Sequence, residues 1–155
     1  MKRGMLLGLA LVMLLAAVSA ASAASTAGFN VKVTLQSVGV SLNQTEWQLG
    51  TVVADEVTAT AADYFVATNE GNVAEDFTIV AAASADWTPG DDSAADVFRL
   101  RLLPATVIKT TAVALASDVA AGGTHSFGLD LKAPSSSTSG SEQIIPVTVE
   151  AAPAA

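Results

Sequence analysis

Apolar and polar residues alternate with a period of two along most of the chain beyond residue 28. The alternation is clearest at Phe29, Val31, Val33 and Leu35, each of which is followed by a polar residue. Because successive side chains of a strand point to opposite faces, this run predicts a half-buried β-strand. After Gln36 the apolar positions move from odd to even numbers, which predicts a bulge or a crossing between two sheets.

Further strands follow at a spacing of about ten residues, a pattern typical of β-sandwiches. They are predicted at residues 57–68, 73–83, 97–103, 127–131 and 145–149. Between them lie turns such as Asn69-Glu70-Gly71-Asn72, whose glycine is free to adopt a positive φ. Pro146 cannot donate a ladder hydrogen bond, so the last strand is expected to be an edge strand or to contain a bulge. Helical periodicity is absent from the sequence, which therefore predicts an all-β fold, a single antiparallel β-sandwich of about seven to nine strands.

The start of the chain has the pattern of an export signal. Two basic residues, Lys2 and Arg3, precede an unbroken apolar run, and Ala21-Ser22-Ala23 supplies a cleavage site of small residues. This pattern predicts a signal peptide at residues 1–23. The mature domain would then be residues 24–155, secreted or held at the cell surface.

A second cleavage site is the alternative. Gly4 follows the two basic residues, so a pilin-type peptidase could cut there and keep the apolar run as a helix. The glutamate that usually follows such a cut is missing, so ordinary signal cleavage is the favoured interpretation.

Composition narrows the range of partners. The predicted mature domain keeps five of the seven basic residues and all fifteen acidic ones, which gives a formal net charge of −10. Nucleic acid and anionic membrane surfaces are poor partners for such a charge. A second apolar span is absent from the sequence after residue 23, so no membrane span is expected in the mature domain. Because there is no cysteine, the core must hold the domain together without disulfides.

Several short motifs resemble those of bacterial immunoglobulin-fold modules of the Hydin-like class. They are Leu49-Gly50-Thr51-Val52, Ala67-Thr68-Asn69-Glu70-Gly71-Asn72, and, near the end, Ala133-Pro134 followed by an Ile-x-Val-x-Val strand. These motifs specify turns and not chemistry, and Leu49 stands where such modules often have an aromatic residue. The resemblance implies an immunoglobulin-like sandwich used in surface structures and adhesion, without catalytic residues.

Residues that could carry catalysis are sparse. His125 is the only histidine, and its neighbours form no nucleophile-elbow pattern. A structural position beside the inward-facing Phe127 is therefore favoured, and neither enzymatic activity nor a cofactor is expected.

Four aspartates share one polar loop and are the candidates for a metal site: Asp86, Asp91, Asp92 and Asp96. Loop carboxylates can bind calcium outside cells, but this spacing fits no known calcium loop. A solvated acidic loop is the simpler interpretation.

Aromatic and basic side chains give two further candidates. Tyr64 and Trp87 could stack on a carbohydrate, although packing against the domain itself is the favoured role of the tryptophan. Arg99 and Arg101 are expected to point outward from the same strand. Cross-strand pairing with acids is the simpler interpretation of the arginines, and contact with a neighbouring subunit's acidic face is the alternative.

The first predicted strand carries the sharpest functional prediction. Burying its four apolar side chains would stabilise the structure by about 6–12 kcal/mol gross, and leaving them in water would favour aggregation. The strand must therefore pair, either within its own sandwich or with the sheet of the next copy. The sequence predicts a non-catalytic, exported structural protein that assembles with copies of itself into an extracellular filament or surface layer. A secreted module that binds carbohydrate or a surface partner is the alternative.

Overall fold

The computed structural model describes residues 27–155. The chain divides into two compact units, Met1–Val33 and Thr34–Ala155, and only residues 27–33 of the first are described. The predicted export signal, residues 1–23, and the alternative cut near Gly4 lie outside the described residues. Within the described part of the chain, no helix has the length and apolar character needed to cross a membrane.

The described residues form an all-β structure, as the alternation predicts. The eleven strands are β1 Val40–Leu42, β2 Val57–Ala59, β3 Phe65–Asn69, β4 Glu75–Ala81, β5 Thr88–Pro89, β6 Val97–Leu102, β7 Thr106–Ile108, β8 Val113–Val119, β9 Thr124–Phe127, β10 Leu129–Lys132 and β11 Val147–Pro153. All pairings between them are antiparallel except the short parallel contact of β5 with β6. The total exceeds the predicted number because loops and one long predicted strand contain additional short strands.

The strands build a β-sandwich from three sheets. One sheet has the order β1-β3-β9, a second β2-β10-β6-β5 with β7 also on β6, and the third β11-β4-β8. Only Gly128 separates β9 from β10, so the first two sheets continue into each other along the chain. In the third sheet, β4 is central and β11 pairs with it along all seven of its residues.

One apolar cluster, with members from all three sheets, forms the core. Phe77 and Ile79 of β4 are fully buried, as is Phe98 of β6. Phe65 and Phe127 form a stacked cross-strand pair with ring centroids 5.3 Å apart. Alternate residues of β3, β4 and β6 are buried, as expected for strands with one face toward the core.

Two predicted strands are each divided between two sheets. In the strand predicted at residues 127–131, Gly128 separates β9 from β10. The strand predicted at residues 57–68 is divided into β2 and β3, which belong to different sheets. A turn closed by the Tyr64 N–H donating to the Ala61 carbonyl separates them (3.3 Å). The small Ala61 and Ala62 allow the chain to change direction there, a break that alternation alone does not mark.

The half-buried strand predicted at residues 29–35 is not part of this sandwich. No strand is present in the described residues before Val40. The side chains of the predicted inward face are almost fully exposed, at 88% for Phe29, 74% for Val31, 83% for Val33 and 85% for Leu35. The physical reason is that the core is closed by other strands, which leaves this apolar face without a partner in the chain's own sheets.

Candidate functional site

The N-terminal segment, residues 29–35, presents an apolar face and a polar face without strand pairing. Its odd-numbered side chains are phenylalanine, valine and leucine, and its even-numbered ones are Asn30, Lys32 and Thr34. An exposed segment that combines alternation with β-branched residues is suited to join a sheet edge.

A tight turn fixes the chain immediately after this segment. The Asn72 side chain accepts a hydrogen bond from the Ser37 N–H (2.9 Å) and donates one to the Leu35 carbonyl (2.8 Å). The Asn72 N–H donates to the Ser37 carbonyl (3.1 Å). The end of the N-terminal segment is therefore held at a defined place on the domain.

Position 71, in the same turn, requires a glycine because a side chain would not fit there, and not because of the backbone φ angle. A Cβ atom there would lie 2.1 Å from a Glu75 carboxylate oxygen and 2.5 Å from the Ser37 carbonyl oxygen. Gly71 is not among the glycines with positive φ, so it does not use the left-handed conformation that is open to glycine. The buried Glu75 accepts a hydrogen bond from the Gly39 N–H (2.9 Å), which adds a second attachment just before β1.

An apolar groove of about 920 Å³ opens on the same domain. Buried core residues form its floor, among them Phe65, Ile79, Leu100 and Phe127. Its walls are two strand-free stretches, residues 44–54 and 139–145, together with the start of β11. The groove's volume lies in the range of known binding pockets.

Exposed apolar side chains border this groove. Val53 is 70% exposed, Ile144 78% and Val147 36%, and all three line the groove. The described residues expose ten large apolar side chains, of which the N-terminal segment supplies four and the groove these three. Exposed apolar surface is thus concentrated in two places, and such patches mark interaction sites.

The β11 strand has one unpaired edge beside the groove. The Ala82 N–H donates to the Pro146 carbonyl and the Ala154 N–H donates to the Ala74 carbonyl, both at 2.9 Å. Even-numbered residues of β11 therefore face β4. Because backbone groups alternate between the two edges of a strand, the odd-numbered residues face away from β4. Among the described residues, β11 pairs with no strand other than β4, so the predicted edge position of this last strand is confirmed.

Ion pairs cover the outer face of the sheet that contains β6 and β10. Arg101 donates one bifurcated hydrogen bond from Nε to both oxygens of the Asp130 carboxylate and a second from an Nη, at 2.6–3.1 Å. Arg99 approaches Asp130 at 3.6 Å and Asp92 at 3.3 Å. Both arginines therefore make the cross-strand pairs that the sequence favours, and a role for them at a subunit interface stays a prediction.

The four loop aspartates are held by different partners. Asp91 pairs with Lys109, while Asp92 pairs with Arg99 and Lys132. Asp86 accepts a hydrogen bond from the Gln143 amide, and Asp96 accepts two from Thr138. Residues 27–155 hold no group of three or more acidic, histidine or cysteine side chains placed to bind a metal, so the structure does not bring the calcium candidates together.

Hydrogen bonding lowers the pKa of two of these carboxyl groups. The Thr138 backbone N–H and hydroxyl lower the pKa of Asp96. The Ser93 backbone N–H, followed by the Lys132 ammonium, lowers the pKa of Asp92. Both aspartates hold neighbouring loop segments in place.

The two aromatic candidates, Trp87 and Tyr64, have different surroundings. The Trp87 indole N–H donates to the Ser137 hydroxyl (2.8 Å), and its ring lines the groove. Tyr64, 38% exposed, packs edge-on against Phe65 and does not line the groove. Carbohydrate binding by these two residues stays a prediction.

His125 lies on β9 opposite Ala67. Within the described part of the chain its ring makes no hydrogen bond, so the structure supplies no partner that would orient it for catalysis.

Comparisons with protein-family models, with curated proteins and with solved structures returned no significant match. The proposed function therefore rests on the sequence and geometry of this chain. The groove is the feature that sequence reasoning missed, although Pro146 in an alternating strand pointed to the edge beside it.

Proposed function

We propose that this chain is an exported, non-catalytic structural subunit that assembles with copies of itself, each N-terminal segment pairing with the next copy. The observation that carries the proposal is the exposure of all four apolar side chains of residues 29–35. A head-to-tail contact that does not close into a ring builds a filament. The resemblance to immunoglobulin-like surface modules agrees with this function.

The energetics allow such an assembly. Burying the four side chains contributes about 6–12 kcal/mol, whereas joining two bodies costs about 4–15 kcal/mol. Side-chain burial therefore roughly balances the cost. Each backbone hydrogen bond to a sheet edge adds about 0.5–1.5 kcal/mol, which tips the balance toward assembly.

A pair of substitutions at neighbouring residues tests this function. Val33→Asp places a charge on the apolar face of the segment, and Thr34→Asp places the same charge on the polar face. Both residues are exposed in the single chain, so neither substitution should change its thermal stability. Burying an unpaired carboxylate is costly, so Val33→Asp should raise the critical concentration for assembly at least about 100-fold.

Sedimentation of the chain that begins at Ala24, with electron microscopy of the pellet, measures this critical concentration. Thr34→Asp is the matched control and should assemble within about threefold of the parent, because its charge remains in water. Equal assembly of the two variants would contradict the proposal. A parent chain that remains monomeric at all concentrations would contradict it as well.

A further inference from the structure

We infer that the acceptor for the N-terminal segment is the open edge of β11 with its adjoining groove, and that the occupant is residues 29–35 of a second copy of this chain. The inference rests on the proposed function and assigns the second half of the contact. It makes each copy a donor at one place and an acceptor at another.

The choice of β11 follows from a comparison of the two edges of its sheet. The opposite edge is β8, whose pairing with β4 contains register shifts on both sides of Phe77. Within β8, Asp118 has a left-handed φ of 54°. Bulges and charged side chains protect an edge from pairing, whereas β11 is regular along its whole length.

The length and hydrogen-bonding capacity of β11 match the donor. The strand has seven residues, Val147–Pro153, and the N-terminal segment covers the same number. Val147, Val149 and Ala151 each direct an N–H and a carbonyl away from β4. Pro146 and Pro153 bound this open stretch, so the edge has a defined start and end.

The side chains complement each other on the same face. Val147 and Val149 line the groove, so a strand added beside β11 would direct alternate side chains into it. The N-terminal segment supplies an apolar side chain at every second position. One contact would cover the four exposed side chains of the donor and the exposed Val53, Ile144 and Val147 of the acceptor.

Charge also favours this pairing. All four basic side chains of residues 34–155 form ion pairs with aspartates, although this unit contains fifteen acidic residues. The groove is lined by Glu46 and Glu142 and by no basic residue of the described chain. Lys32, on the polar face of the donor, would lie on the side of the sheet away from the groove, where β11 presents the exposed Glu150.

The experiment combines one blocked donor with one blocked acceptor. Val147→Asp places a charge in the groove, and Thr148→Asp, on the other face of β11, is its matched control. Val147→Asp alone should raise the critical concentration at least about 100-fold, as Val33→Asp does. An equimolar mixture of Val33→Asp and Val147→Asp chains retains one intact donor and one intact acceptor. It should form a one-to-one dimer and nothing larger, as measured by light scattering on a sizing column.

The outcomes separate this inference from the proposed function. If Val147→Asp polymerises as well as Thr148→Asp while Val33→Asp does not, the segment is the donor but the acceptor lies elsewhere, which overturns this inference alone. If Val33→Asp polymerises like the parent, the proposed function itself is wrong. A mixture that remains monomeric also overturns the inference, provided that the melting temperatures of the two variants match those of their controls.

Disulfide trapping is the second test of the inference, and it applies if Val147→Asp does not fold. The chain contains no cysteine, so each introduced cysteine is the only thiol in its chain. Oxidised Val147→Cys should link to chains with a cysteine at one or more of positions 29, 31, 33 and 35. Even-numbered positions point to the other face, and a disulfide requires Cα atoms within about 7 Å, so these should not link. Equal linking at odd and even positions, or none at all, would overturn the inference.

Discussion

At the scale of single residues, Asp130 shows how a charged side chain is retained inside a sheet face. Its side chain is 3% exposed and accepts hydrogen bonds from Arg101, which lies directly opposite on β6. Arg99 approaches it from the same strand, and the Arg99 Nε is buried without a partner among the described residues. This carboxylate therefore neutralises two guanidinium groups in a site with little water.

The substitution Asp130→Asn tests the importance of that charge. The amide keeps the shape of the side chain but leaves both arginines without their shared carboxylate, so the free energy of unfolding should fall by about 2–4 kcal/mol. Asp91→Asn is the matched control. Its carboxylate pairs with Lys109 at the exposed surface, so the loss should stay below about 1 kcal/mol. Chemical denaturation of monomeric protein measures both, and equal losses would contradict this account.

At the scale of elements, the sequence predicts the regular strands well and the breaks poorly. In β6 the alternation of Phe98, Arg99 and Leu100 corresponds to the observed burial, because successive side chains of a regular strand point to opposite faces. The break between β2 and β3 follows from a turn of small residues that resembles strand sequence.

The alternation at residues 29–35 predicts a strand, but a local pattern cannot specify which chain supplies the partner. The groove depends on contacts between distant segments and has no local signal.

Asp96 links two such distant segments and should make the domain sensitive to acid. It lies just before β6, and Thr138 of the loop beside the groove donates to it at 2.8 and 3.0 Å. These hydrogen bonds lower the pKa of Asp96 below the ordinary value of an aspartate carboxyl in the folded state. The contribution is therefore complete above the unfolded-state pKa and is lost as the pH falls through the folded-state value.

The variant Asp96→Asn tests this link. Asparagine tolerates the left-handed φ of 54° at this position, so the backbone should be preserved. The difference in melting temperature between parent and variant should be largest above the ordinary pKa of an aspartate and should shrink as the pH falls through the lower folded-state pKa. Thr138→Val, which removes only the hydroxyl hydrogen bond, should give a smaller change with the same sign. A difference that does not vary with pH would contradict the assignment.

At the scale of the whole molecule, two exposed surfaces support the proposed assembly. The N-terminal segment exposes an apolar face without a sheet, and β11 exposes a sheet edge beside an apolar groove. Neither surface is explained by the stability of a single chain, since the core is closed without the segment. Both are explained if one copy completes the sheet of the next.

Hydrogen exchange of the N-terminal segment, followed by mass spectrometry, tests this central claim most directly. In dilute monomer the amides of residues 29–35 should exchange at the rate of an unstructured peptide, because no strand among residues 27–155 pairs with them. In assembled protein their exchange should slow at least about 100-fold, as expected for amides in a sheet. Exchange that stays equally fast in the assembled protein would show that the segment is not the strand that joins the subunits.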